Sequence, residues 1–168
     1  MLQNARISAL YQKMTQNAIA AMSRLAELHP ESSRPASSRE IAESRGLPLP
    51  VVAKILTELS REGLVTGSPG PGGGYRLAKP PGEISLKDVV RVFESESRSV
   101  CPFGPGWCGA EEPCPLHNSL VAMQQIFDDF LRNTTFSVFA QPGAGTPRVM
   151  PAAKRVAASK APGKRRRT

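Results

Sequence analysis

All three cysteines of this 168-residue chain fall in one short stretch, together with one of its two histidines. The stretch reads C-P-F-G-P-G-W-C-G-A-E-E-P-C-P-L-H, and its four candidate metal ligands are Cys101, Cys108, Cys114 and His117. Cysteine thiolates hold iron–sulfur clusters, and histidine replaces cysteine in some of them. Proline and glycine fill the gaps between the ligands, so neither helix nor strand is expected there. We therefore interpret the stretch as a cluster-binding loop.

Three other roles for these cysteines have to be weighed. A structural zinc site of the Cys3His type remains open, although zinc ligands usually come in pairs about two to four residues apart. A disulfide is disfavoured by the odd number of cysteines and by a polar N-terminus that does not resemble a secretory signal. Unrelated buried cysteines do not suit a stretch so rich in proline and glycine. An iron–sulfur cluster is the leading hypothesis, and zinc is the principal alternative.

The positive charge of the chain is concentrated at its C-terminal end. The net charge is +8, and residues 142–168 contain eight Lys or Arg and no acidic residue. This leaves 14 of the 22 basic residues to balance all 14 acidic residues in the rest of the chain. We expect a disordered tail whose Lys-Arg-Arg-Arg end either contacts phosphates without regard to sequence or is simply solvated.

No membrane partner is expected. No run of the sequence approaches the roughly 18 apolar residues of a membrane span, and the chain begins with the polar segment M-L-Q-N-A-R. The sequence therefore predicts a cytoplasmic protein.

Residues 11–62 predict three helices. Apolar residues recur at helical spacing from about residue 11 to residue 29, where Pro30 ends the first helix. Ser37 and Glu40 form a capping box for a second, short helix, and Gly46 suits the left-handed position at its end. A third helix follows Leu47-Pro48-Leu49-Pro50, so the last two helices form a helix-turn-helix. As a recognition helix, the third would contact DNA through Pro50, Val51, Lys54 and Thr57.

A glycine-rich hairpin is expected directly after these helices. Short strands are predicted at residues 64–66 and 75–77, and the loop between them reads G-S-P-G-P-G-G-G. A nucleotide site is improbable because no Gly-Lys-Ser/Thr follows and no helix opens after the loop. We interpret the hairpin as a DNA-binding wing, with a merely flexible hairpin as the alternative. The remaining predicted DNA contacts are Ser38, Arg39, Gly72, Gly73, Gly74, Tyr75 and Arg76.

A long helix is predicted after the cysteines. Ser85 and Asp88 first cap a short helix. From Leu116 the apolar residues then repeat at intervals of four and three to about Thr134, which predicts a helix of roughly 35 Å that ends near Phe139. Such a stripe needs a cover, and a second copy of the chain in a dimer is expected to supply it. The predicted dimer contacts are Leu120, Met123, Phe127 and Phe130.

These elements predict a mainly α fold with a small β-hairpin wing. Residues 1–94 would form a winged helix-turn-helix DNA-binding domain, residues 95–141 the cluster-binding loop and dimerisation helix, and residues 142–168 the basic tail. No plausible catalytic constellation exists, so an enzyme is not expected. An electron-transfer protein on a winged-helix scaffold and a zinc-stabilised DNA-binding module remain as alternatives, although an electron carrier would not need Lys54, the wing or the tail.

The sequence resembles the Rrf-type family of winged helix-turn-helix transcriptional regulators over about residues 10–140. The segments S-S-R-E-I-A-E-S-R-G, L-P-L-P-V-V-A-K-I-L-T-E-L-S-R-E-G-L-V and G-P-G-G-G-Y-R-L carry the resemblance, with the spaced cysteines and the long helix. It implies a homodimeric repressor that binds a palindromic operator in double-stranded DNA. It also implies that a cluster, 2Fe–2S being favoured over 4Fe–4S, controls DNA affinity in response to nitric oxide, redox state or iron–sulfur status.

The resemblance also implies a ligand set. By position, the three cysteines are cluster ligands, and His117 matches the histidine ligand of the members that regulate iron–sulfur assembly. Members that respond to nitric oxide instead use an acidic residue of the first helix, and Gln16 occupies that place here. His117 is therefore the expected fourth ligand, with Glu111 or Glu112 next in line.

Overall fold

The computed structural model describes residues 11–29, 35–94 and 115–140. Cys101, Cys108, Cys114 and the tail at 142–168 lie outside the described residues. The helices and strands are α1 (Lys13–Glu27), α2 (Ser38–Arg45), α3 (Leu49–Arg61), β1 (Val65–Ser68), β2 (Gly74–Leu77), α4 (Leu86–Phe93) and α5 (His117–Asn133). Short 3-10 turns cover Pro81–Glu83 and Phe136–Phe139. The predicted fold class, mainly α with one hairpin, is confirmed.

The first helix, α1, lies at the centre of the packing. It contacts α2, α3, α4, β2 and the last 3-10 turn. Small residues such as Ala18 and Ala21 are completely buried on it, beside the larger Met22 and Leu25. Because alanine side chains are short, neighbouring helices can approach α1 closely and still fill the core. The amphipathic spacing that predicted α1 therefore corresponds to a real buried face.

Glu94, which ends the described segment after α4, is bound to the start of α1. Its Oε1 accepts a hydrogen bond from the Gln12 amide at 2.7 Å and one from the Thr15 hydroxyl at 2.7 Å. Thr15 is fully buried, so its hydroxyl depends on this carboxylate for a partner. Burial, and secondly the charge of Glu94, raise the pKa of the nearby Tyr11 to about 12. Glu94, the last described residue before the cysteines, is therefore held in place by the start of α1.

The helix-turn-helix forms as its local signals predict. The Ser37 hydroxyl accepts from the Glu40 amide at 3.2 Å, and the Glu40 carboxylate accepts from the Ser37 amide at 2.7 Å. Gly46 ends α2 in the left-handed conformation, with φ 61°. On α3 the predicted inner residues are all completely buried, namely Val52, Ile55, Leu56 and Leu59.

The wing is an antiparallel hairpin that is also joined to the helix-turn-helix. The strands pair from Val65 with Leu77 to Ser68 with Gly74. On its other side β2 pairs with Ala36, since the Tyr75 amide donates to the Ala36 carbonyl at 2.7 Å and the Ala36 amide to the Tyr75 carbonyl at 2.9 Å. This pairing fixes the base of the wing against the start of α2. The first strand begins at Val65, one residue later than predicted.

The last predicted helix is shorter than the sequence pattern indicated. It ends at Asn133, about 25 Å from its start, and does not continue to Phe139. The backbone then turns extended and pairs with the segment before α4, because the Leu86 amide donates to the Thr134 carbonyl at 2.8 Å. In the same pairing, the Phe136 amide donates to the Ile84 carbonyl at 2.9 Å. Tertiary pairing and burial of Phe136, which is 0% exposed, replace the final helical turns.

A charged cluster fastens α5 to α4. The Lys87 ammonium contacts Asp128 Oδ2 at 2.7 Å, and Arg132 contacts the same oxygen at 2.9 Å. The hydrogen bond from Lys87 is the main cause that holds the pKa of Asp128 below its ordinary value; desolvation opposes it, and both cations add to it. Beside this cluster Leu131 is buried. No helix among the described residues is long and apolar enough to cross a membrane.

Phe136→Ala should destabilise the protein by about 3–5 kcal/mol, because the substitution removes a completely buried ring and leaves a cavity. Val138→Ala on the same 3-10 turn is the matched control, since Val138 is 44% exposed. It should cost well under half as much. Urea unfolding of both variants measures the difference. Equal destabilisation by the two substitutions would contradict the docking of this segment in the core.

Candidate nucleic-acid interface and metal ligands

The exposed face of α3 contains most of the residues predicted to contact DNA. Pro50, Lys54 and Thr57 are exposed, four and three residues apart, and so form one stripe along the helix. Val51 differs from the prediction, because it is half-buried and packs against the core. Its side chain therefore presents only an edge to the surface. The stripe contains a single charge, on Lys54.

The start of α2 and the second strand of the wing add two further cations. Arg39 and Arg76 are exposed, whereas Ser38 is half-buried at the first position of α2. The pairing of Ala36 with β2 joins the segment before α2 to the strand that contains Arg76. Three exposed cations therefore lie on elements that pack together, a distribution suited to a phosphate backbone.

At two wing positions the surrounding backbone leaves no room for any side chain, a constraint that the sequence did not reveal. A Cβ on Gly74 would lie 2.5 Å from the Ala36 carbonyl oxygen, and a Cβ on Gly73 would lie 2.1 Å from the Ser68 carbonyl oxygen. Both glycines are required for the hairpin itself to form. Gly72, at φ 77°, lies at the exposed tip. Tyr75 is half-buried, with its ring over Gly67, so Gly72 and Arg76 are the better-placed predicted contacts of the wing.

The described residues contain only one of the four predicted metal ligands. His117 is the first residue of α5 and is half-buried. No group of three or more metal-binding side chains occurs within residues 11–29, 35–94 and 115–140. Three thiols and one imidazole are a donor set that suits an iron–sulfur cluster or zinc. The position of His117 at a helix start, three residues after Cys114, is compatible with that set.

The residue at the alternative ligand position is already used within the fold. The Gln16 side-chain amide donates a hydrogen bond to the Tyr11 carbonyl at 3.0 Å. An amide oxygen is also a poorer partner for a metal–sulfur centre than a carboxylate, since it has no negative charge. The Gln16 side chain therefore ties the chain just before α1 to the helix.

The apolar face of α5 is only partly covered within one chain. Met123 and Phe130 are 49% and 48% exposed, while Leu120 and Phe127 are half-buried. Phe127 contacts the Tyr11 ring, with the two ring centroids 5.6 Å apart. One of the four predicted dimer contacts therefore also packs within its own chain, against Tyr11 just before α1.

Sequence reasoning missed the most exposed apolar residue of this face. Ile126 is 68% exposed and lies three residues after Met123 and four before Phe130. The alternating four-and-three pattern passes beside it, so the predicted contacts did not include it. Its helical spacing from both residues was the signal that could have found it.

Comparison with families of known proteins identifies one match that covers most of the chain. A family model described as "Rrf2: Iron-dependent Transcriptional regulator" matches residues 11–142. A helix-turn-helix-type transcriptional regulator of Aquifex aeolicus is 33% identical over 118 residues, which are 68% of this chain and 82% of that protein. The regulator IscR of Cronobacter sakazakii is 34% identical over 104 residues, 61% of this chain and 64% of that protein.

Solved structures with the same fold include further regulators. CymR, titled the global cysteine regulator of B. subtilis, superposes with a TM-score of 0.65 at 25% identity, over 77% of this chain and 94% of that chain. IscR of T. potens superposes with a TM-score of 0.61 at 25% identity, over 75% and 82% of the two chains. The winged helix-turn-helix architecture is thus shared with both.

Lys54→Ala should weaken binding to a specific DNA duplex by about 1–3 kcal/mol if the ammonium contacts a base edge. Arg76→Ala should weaken binding to all sequences alike and reduce the salt dependence by about one counterion, as expected of a phosphate contact. Arg91→Ala on α4 is the control, because Arg91 is exposed and lies outside the stripe and the wing. Fluorescence anisotropy at several salt concentrations measures all three. Unchanged affinity for both test variants would exclude this surface.

Proposed function

The chain belongs to the Rrf2 family of transcriptional regulators, which are not enzymes, and on this premise we propose that it is a homodimeric repressor controlled by an iron–sulfur cluster. The observation that carries the DNA-binding part is the exposed stripe of α3 beside the paired wing. The cluster part is supported by the spacing of the three cysteines and by the similarity to IscR. A palindromic operator follows from the symmetry of a dimer.

We propose that α3 enters the major groove and that the wing contacts the adjacent backbone. The N-terminal residues of a recognition helix contact base edges, and Pro50 and Lys54 are exposed at that end of α3. Arg39 and Arg76 are suited to phosphates, which position the protein on DNA without reading its sequence. Gly72 lets the tip of the wing approach a sugar-phosphate strand closely.

The proposed dimer is held by the exposed face of α5. Apolar residues on this face, including Met123, Ile126 and Phe130, are about half exposed or more in the single chain. Burial of such side chains is favourable by roughly 25 cal/mol per Å² of apolar surface removed from water. A second copy of the same helix, related by twofold symmetry, would cover them. It would also set two α3 helices at the separation of two operator half-sites, about 34 Å.

The proposed cluster ligands are Cys101, Cys108, Cys114 and His117. When bound, an iron–sulfur cluster supplies a centre whose charge and integrity depend on redox state, on nitric oxide or on iron supply. The neutral imidazole of His117 would leave the site less negative than a fourth thiolate would. Either cluster type fits four ligands, and we favour 2Fe–2S.

The fold offers a route by which the cysteine segment can influence DNA affinity. The segment follows Glu94, which is bound to the first turn of α1, and leads to His117 at the start of α5. The ring of Tyr11, just before α1, contacts Phe127 of α5. The residues that precede α1 therefore contact both Glu94, before the segment, and Phe127 of α5, after it, and α1 itself packs against α2 and α3. A changed segment would alter how α5 sits against the DNA-binding helices.

The cluster is tested by anaerobic purification with iron and acid-labile sulfide counts. We expect a brown protein with sulfide. Stoichiometric zinc without sulfide after reconstitution would replace the proposed sensor with a zinc-stabilised DNA-binding module. Free thiols that oxidise reversibly without any metal would instead indicate a thiol-based regulator.

His117→Ala should give a cluster that is lost at least about tenfold faster, since removal of outer-shell partners alone already costs about 10–100-fold in metal affinity. Its visible spectrum should also change, whereas the winged domain should stay folded by circular dichroism. His29→Ala replaces the other histidine, which is exposed at the end of α1, and should match the wild type. An unchanged spectrum and lifetime in His117→Ala would place the fourth ligand elsewhere, first at Glu111 or Glu112.

Ile126→Glu should convert the dimer to monomers at micromolar concentration, because it would bury an unpaired charge in the proposed interface. Gln125→Glu is the matched control, since Gln125 is an exposed neighbour on α5 that lies off the apolar stripe. It adds the same charge and should remain dimeric. Sedimentation velocity distinguishes the two states. A monomeric wild type, or a dimeric Ile126→Glu variant, would contradict this interface.

A further inference from the structure

The first turn of α3 is almost devoid of hydrogen-bonding groups. Pro48 and Pro50 have no amide hydrogen, and the amides of Val51 and Val52 both donate to the Pro48 carbonyl, at 3.0 and 3.1 Å. Pro48 occupies the N-cap position, and no side chain of the described residues caps this helix. The side chain of Leu49, 38% exposed, and the exposed ring of Pro50 instead present carbon to the surface. The end of α3 that would reach deepest into a DNA groove is therefore apolar.

Polar chemistry on this helix begins only one turn later. Lys54 offers hydrogen-bond donors and no acceptor. The Thr57 hydroxyl donates to the Ala53 carbonyl at 2.9 Å, so only its acceptor lone pairs face outward. Along the exposed stripe, the order is thus an apolar turn, then a cation, then a hydroxyl acceptor.

This order corresponds to a particular set of groups in the major groove. The C5-methyl of thymine is the only methyl group that a base pair presents there, and guanine presents the acceptors O6 and N7. An amino group of adenine or cytosine placed against Pro50 or Leu49 would lose its hydrogen bond to water without replacement. The first turn therefore favours thymine, and Lys54 favours guanine.

We propose that this chain reads each operator half-site through thymine methyl groups packed against Leu49 and Pro50, with Lys54 bound to a guanine. The inference rests on the proposed DNA-binding function and deepens it by naming the base chemistry. Nucleic acid is a better occupant of this apolar turn than a protein surface. The neighbouring exposed groups Arg39 and Lys54 are cationic, and α2, which contains Arg39, packs directly on α3.

The test begins with selection of binding sites by the full-length protein from a pool of random DNA duplexes. Selection is performed with the anaerobically purified protein and, separately, with the metal-free protein. In the best enriched duplex, each thymine is then replaced singly by deoxyuridine, which removes only the C5-methyl. We expect a loss of about 3- to 5-fold in affinity at one or more thymines of each half-site, the value of one buried methyl. Uracil elsewhere in the duplex should have no effect.

A second set of measurements assigns the methyl contact to the helix. Pro50→Ala keeps a residue suited to the first turn of a helix but removes most of the ring. Its penalty for uracil at the critical thymine should shrink to less than about 2-fold, while the penalties at other positions persist. Ser60→Ala, on the exposed C-terminal part of α3, is the control and should retain the complete wild-type uracil profile.

The possible outcomes separate this inference from the function on which it rests. Failure to enrich any duplex in either state would contradict DNA binding by this surface and remove both. An enriched duplex that tolerates uracil at every thymine would overturn thymine readout and leave DNA binding intact. A full uracil penalty in a folded Pro50→Ala variant would overturn the assignment to the first turn of α3. Thermal unfolding establishes that the variant is folded.

Discussion

Burial of Phe136 is the constraint on which the arrangement of the other elements depends. Its ring is inaccessible to solvent, and its amide pairs with Ile84 just before α4. The chain after α5 must therefore return to the core formed by α1 and α4. Because Leu131 is buried as well, the second half of α5 is held against α4. The helix α4 in turn packs against α1 and α3, so it connects α5 to the helix-turn-helix.

Local signals predicted the helix-turn-helix well because its ends are encoded within four residues. The capping boxes at Ser37 and Ser85 are satisfied by side chains three positions away, so no distant part of the chain is needed to form them. Burial of Asp88 raises the pKa of its carboxyl group. Two hydrogen bonds from Ser85 and the positive charges of Arg91 and Lys79 outweigh this effect and hold the pKa below its ordinary value. The buried residues of α1 and α3 were predicted equally well, because they lie on one face of each helix and recur at helical spacing in the sequence.

Features that depend on distant partners were predicted poorly. The apolar repeat continues through Thr134, so the sequence alone gave no reason to end α5 at Asn133; the reason is the pairing of residues 134–136 with residues 84–86. The requirement for Gly74 comes from Ala36, 38 positions earlier. The partial burial of Val51 likewise reflects the core around α3. The four proposed cluster ligands were chosen from spacing and family resemblance, and they stay a prediction.

The junction at the start of α1 shows how a small change near the cysteines could have a large effect on DNA affinity. A ligand or cofactor shifts a conformational equilibrium only as far as its free energy of binding differs between the two states. Here the Glu94 carboxylate accepts a hydrogen bond from the buried Thr15 hydroxyl. Moving the carboxylate away would leave that hydroxyl without this partner and would cost about 1–3 kcal/mol. The binding free energy of the ligand or cofactor would have to offset this cost. A dimer engages two recognition helices at once, so one altered angle would affect both half-sites. In the proposed dimer, an energy of this size counted once in each subunit, about 2–6 kcal/mol in all, corresponds to a change in DNA affinity of about 30-fold to about 20,000-fold. The proposed coupling would therefore need no large rearrangement, only a few ångströms of movement where Glu94 and Phe127 contact the residues at the start of α1.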